Sequence, residues 1–158
     1  MIRLGRILAS CALTALLAGC GDIPPIFEDV GADPHPPELT LLGIGLQLPG
    51  DPPPPPAYGS PAAGLTLRPE DPNANVMALR VAYADAGADI ASVSLRDLDG
   101  SLGGDAADTS SLGTFGTLEF TVDATATVDG PHRLELWAED GHGSRSAKTT
   151  FTVTIQLF

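Results

Sequence analysis

Carboxylates, a lone tryptophan and a cysteine are the side chains in this sequence whose placement could do chemistry. Asp85 and Asp89 flank the short break Ala86-Gly87-Ala88, and Asp140 opens the glycine-rich break Asp140-Gly141-His142-Gly143, directly after Glu139. Ca2+ takes roughly six to eight oxygen ligands, carboxylates among them, so Asp85, Asp89 and Asp140 are candidate Ca2+ ligands if the fold brings the two breaks together. The structural alternative is that such aspartates accept backbone hydrogen bonds and shape tight turns. Trp137 lies in the stretch Leu134-Glu135-Leu136-Trp137-Ala138, with parity opposite to Leu134 and Leu136. An outward tryptophan beside Arg133 and Glu135 can stack on a sugar or anchor a protein contact. Equally, its ring can lie under the stems of Arg96 or Lys148 from neighbouring strands. His35, His132 and His142 are dispersed along the chain, which argues against a histidine metal triad, and nothing around Ser94 or Ser110 resembles a nucleophile elbow. No catalytic residue can be nominated, so a non-catalytic role is expected.

The cysteine that matters is Cys20. Arg3 and Arg6 precede an uncharged, largely apolar run over 7–17, which closes on Leu17-Ala18-Gly19-Cys20. The run is shorter than the ~20 residues a spanning helix needs and suits a secretory signal. With leucine three before the cysteine and small residues between, this segment resembles the lipobox of bacterial lipoprotein precursors. The resemblance implies that residues 1–19 are a signal peptide and that Cys20 is the acylated first residue of the mature chain. It also implies a membrane partner and, because Gly21 rather than an aspartate follows Cys20, the outer membrane in preference to the inner. Each buried acyl methylene contributes about 0.8 kcal/mol, so more than one chain gives stable anchoring. Cys11 and Cys20 are the two cysteines; with one removed and the other blocked by lipid, thiol catalysis, thiolate metal clusters and disulfides are excluded, and stability has to come from packing.

The chain carries 8 basic and 20 acidic residues, a net charge of −12. Loss of Arg3 and Arg6 with the signal peptide would leave six basic residues against the same 20, or −14. Such a surface repels nucleic acid, whose phosphates need the opposite sign.

Residues 20–37 are polar and studded with Pro24, Pro25, Pro34, Pro36 and Pro37, a composition that favours an extended tether at ~3.1 Å per residue. Glu38-Leu39-Thr40-Leu41-Leu42-Gly43-Ile44-Gly45-Leu46 predicts a first strand whose glycines mark a bulge. The five prolines within 51–56 then belong to a long loop, 49–61, between edge strands. From Leu65 onward the hydrophobic period is two: Met77, Leu79, Val81 and Tyr83; Val93 and Leu95; Leu118, Phe120 and Val122; Leu134, Leu136 and Ala138; Phe151, Val153 and Ile155. Asp99-Gly100, Asp129-Gly130-Pro131 and Asp140-Gly141 supply turns between the runs. Short strands with one apolar face predict an all-β, antiparallel β-sandwich of about seven strands over 38–158.

Phe120-Thr121-Val122-Asp123, Asp129-Gly130-Pro131-His132-Arg133-Leu134-Glu135-Leu136-Trp137-Ala138-Glu139-Asp140 and the glycine loop that follows resemble bacterial Ig-like domains, with Val81-Ala82-Tyr83-Ala84-Asp85 and the stretch 90–97 in the places of strands B and C. The resemblance covers about 75–158. It implies an Ig-like sandwich, a turn-packing role for His132, and a shared pole for the loop carrying Asp85 and Asp89 and the loop after Asp140. It says little of function, because this sandwich hosts many roles. The expectation is a lipid-anchored envelope protein displaying a binding or scaffolding module toward another envelope protein or a glycan. The alternatives are a Ca2+-dependent adhesion module and an accessory subunit of an envelope enzyme or secretion complex.

Overall fold

Seven strands build two sheets in the computed structural model, which describes residues 35–100, 102, 107–125 and 128–157. The signal-like segment, Cys20, the tether up to Pro34, and Gly103 and Gly104 lie outside the described residues. One sheet orders β1 (Glu38–Leu46), β3 (Val76–Ala84) and β5 (Phe115–Asp123) as β1-β3-β5; the other orders β2 (Thr66–Leu67), β7 (Thr149–Ile155), β6 (Gly130–Asp140) and β4 (Ile90–Asp97) as β2-β7-β6-β4. Every pairing is antiparallel except β2 on β7, which is parallel. The all-β sandwich expected from the period-two runs is therefore present, with that one parallel edge as the departure.

The alternation places one side of each strand in a shared core. Met77, Leu79, Val81 and Tyr83 of β3, Val93 and Leu95 of β4, Leu134, Leu136 and Ala138 of β6, and Phe151, Val153 and Ile155 of β7 are all buried. Fully burying a large aliphatic side chain stabilises by about 1.5–3 kcal/mol, so this cluster holds the sheets together without a disulfide.

β1 meets the same requirement through a bulge. Its register with β3 slips between Leu41 and Gly43, which leaves Leu42 half exposed and changes the inward parity from Leu39 and Leu41 to Ile44 and Leu46. The proline run then folds back on the strand. Gly59 donates its N–H to the Ile44 carbonyl (2.8 Å), Ile44 donates to Gly59 (3.2 Å), and the Gln47 amide donates to the Pro54 carbonyl (2.8 Å). A Cβ on Gly45 would lie 2.5 Å from the Ala57 carbonyl oxygen, so only glycine admits this approach.

Beyond Gly59 a 3-10 turn, Pro61–Ala63, begins at Ser60, whose hydroxyl accepts from the Ala62 N–H, and β2 follows against β7. The prolines thus carry the chain from the edge of one sheet to the edge of the other. Edges are where residues unable to donate to a ladder are tolerated.

Candidate functional site

β3 ends at Ala84 and β6 at Asp140, so the loop 85–89 and the turn after Asp140 occupy one end of the sandwich. Backbone bonds lock the two together: Gly141 donates its N–H to the Asp89 carbonyl (2.9 Å), and Ile90 pairs with Asp140 across β4 and β6. In the loop, Ala88 adopts φ 54°, a left-handed conformation that costs a residue with a Cβ about 1 kcal/mol or more. In the turn, Gly143 takes φ 87°.

The three aspartates do not act alike. Asp85 is buried, and its oxygens accept the N–H groups of Gly87 (3.4 Å) and Asp89 (2.8 Å), which is the turn-shaping role. Asp140 is 2% exposed; its Oδ1 accepts from the N–H groups of His142 (2.9 Å) and Ser144 (2.7 Å). Burial alone would raise its pKa, but those N–H donors and the nearby His142 outweigh burial and hold it below the usual carboxylate value. Asp89 meets His142 instead, with Oδ2 2.9 Å from the imidazole Nδ1.

One donor atom from each of Asp89, Asp140 and His142 fits within a span of 4.8 Å. Among the described residues, the buried side-chain oxygens without a hydrogen-bond partner are Asp89 Oδ1 and Asp140 Oδ2, both in this trio. Glu139, adjacent in sequence, pairs with Arg145 at 2.6 Å. Of the three aspartates singled out in the sequence, Asp89 and Asp140 belong to this group and Asp85 does not, while His142 was left aside. The signal was the turn Asp140-Gly141-His142-Gly143, tight enough to return the imidazole toward Asp89.

Trp137 sits on the outer face of its sheet, half-buried, with Lys148 Nζ 5.3 Å from the ring centroid. The same ammonium is 2.8 Å from Glu135 Oε2. The ring therefore lies beneath the Lys148 ammonium.

His132 is 1% exposed at the other end of β6. Its Nδ1 lies 2.7 Å from Asp97 Oδ2 and its Nε2 2.8 Å from the Val128 carbonyl. A carbonyl only accepts, so Nε2 donates. The Asp97 carboxylate also accepts the N–H groups of Asp99 (2.9 Å) and Leu102 (3.2 Å). His132 packs its turn, as the resemblance implied, and does so as one half of a buried ion pair. Beside it Arg133 forks onto Asp99 through two bonds of 2.9 Å, and Asp99 is pulled down to about 2, chiefly by that side-chain bond and by the Arg133 backbone N–H.

Set against protein-family models and curated proteins, the chain matches none of them.

Proposed function

We propose that this protein is a bacterial envelope lipoprotein, anchored through lipid on Cys20, that displays a non-catalytic β-sandwich for binding or scaffolding. Leu17-Ala18-Gly19-Cys20, closing an apolar run behind Arg3 and Arg6, carries the reading. The fold is compatible with it in two respects. The sandwich core is assembled from apolar side chains, none of them cysteine. Pro37 is already buried ahead of β1, and the proline-studded residues 21–34 would supply a spacer of about 40 Å if extended as polyproline II. The module's partner is then a second envelope protein or a glycan, and outer-membrane placement follows from Gly21.

The test is metabolic labelling with a radioactive fatty acid in a bacterial host. Label in the wild-type band and none in Cys20→Ser supports the anchor. Absence of label in the wild type, or its persistence in Cys20→Ser, contradicts it.

A further inference from the structure

We propose that Asp89, Asp140 and His142 form a binding site for a divalent transition ion of the zinc class, at the end of the sandwich where the loop 85–89 meets the turn after β6. The inference is independent of the anchor and holds whether or not Cys20 carries lipid.

Three observations converge on it. The donor atoms of the three side chains lie within 4.8 Å of one another, a spread that one ion can bridge. Asp140, 2% exposed, and Asp89 each keep a buried carboxylate oxygen with no hydrogen-bond partner among the described residues. Burying a polar oxygen unpartnered is costly, and two on neighbouring carboxylates compound the cost; a cation offsets both at once. The framework is also fixed in advance: Asp140 Oδ1 holds the turn through His142 and Ser144, and Gly141 is bonded to the Asp89 carbonyl. A Cβ on Gly141 would come 3.2 Å from Asp89 Oδ2, so the turn sits close against the loop.

The donor types choose the ion. Ca2+ favours an all-oxygen shell of about six to eight ligands. Two carboxylates and an imidazole are instead a three-ligand set suited to zinc-class ions, and such a set leaves a further position open. Asp85, a candidate in an all-oxygen site, has both oxygens engaged by backbone N–H groups, and Glu139 is engaged by Arg145. His142 is 45% exposed and Asp89 30%, so the open position faces solvent, where water or a carboxylate of a partner could complete the shell.

The test is titration of the metal-stripped full chain with Zn2+ and, in parallel, Ca2+, read by calorimetry and by the thermal midpoint. An ion bound only by the native state must raise that midpoint. The expected result is one Zn2+ per chain, a raised midpoint, and affinity at least about tenfold above that for Ca2+. His142→Ala, at a position 45% exposed and with its fold checked by circular dichroism, should weaken Zn2+ by about tenfold or more. Asp140→Asn, which can keep the Oδ1 bonds, should do the same. Co2+ bound to the wild type should give visible ligand-field absorption that His142→Ala removes. No Zn2+ binding at millimolar concentration, Zn2+ binding indifferent to His142→Ala, or a preference for Ca2+ each overturns the proposal.

Discussion

The imidazole of His132 and the carboxylate of Asp97, 2.7 Å apart with both side chains 1% exposed, tie the start of β6 to the end of β4. The bond spans 35 residues of sequence. Burial disfavours both charged forms. Against it stand their mutual hydrogen bond, the Asp99 and Leu102 N–H groups on Asp97, and the Val128 carbonyl on His132; the outcome is an Asp97 pKa below its ordinary 3.8 and a His132 pKa above its ordinary 6.5.

A pH dependence with a defined sign follows. Stability from the raised imidazole is complete below about pH 6.5 and is lost as pH rises through its higher folded value; that from the depressed carboxyl is complete above about pH 3.8 and is lost as pH falls through its lower folded value. Both are in place between about pH 4 and 6.5. Breaking a buried pair on one side costs about 3–5 kcal/mol. Urea unfolding of wild type and Asp97→Asn should show that gap widest inside this window and narrower in alkali. A gap that stays level from acid to alkali would mean that the two groups are not an ion pair.

Gly100 tests the same cluster by volume. A Cβ there would meet His132, with Nδ1 at 2.7 Å, and would lie 2.9 Å from Asp97 Oδ2, whereas a Cβ on Gly113 would meet nothing within 4 Å. Gly100→Ala should destabilise by about 1–3 kcal/mol. Gly113→Ala should be neutral or stabilise by about 0.5 kcal/mol through the unfolded chain. Equal denaturation midpoints for the two variants would contradict the packing of Gly100 on the pair.

The solitary tryptophan reports on its own cover. Lys148→Ala removes the cation over Trp137 and the partner of Glu135, at a cost of about 1 kcal/mol or less because the lysine is half exposed. Acrylamide should then quench Trp137 fluorescence more efficiently than in the wild type. Unchanged quenching would show that the ring is not sheltered by Lys148.

Much of this fold was readable because its strands alternate. The stretch from Glu38 to Leu46 gave its own limits and its bulge, and the proline run declared itself a connection between sheet edges. β2, two residues long, is too short to show a period, and its parallel partners on β7 come 88 positions later, Thr154 for Thr66 and Ile155 for Leu67. At the candidate site, the common pole of Asp89 and Asp140 was implied by the resemblance to Ig-like domains. The third member was not: His142 joins the set through a turn geometry that depends on Gly143 at positive φ. Asp97 likewise carried no local sign of its role, because its partner His132 comes 35 residues later, on the neighbouring strand β6.

Lipid on Cys20 is the claim from which compartment and display both follow, and the intact mass of the mature protein, extracted from bacterial membranes with detergent, addresses it most directly. The prediction is a chain that begins at Cys20 and exceeds the mass of polypeptide 20–158 by a diacylglycerol group, with or without one further acyl chain. An unmodified Cys20, or an amino terminus elsewhere in the chain, would contradict it.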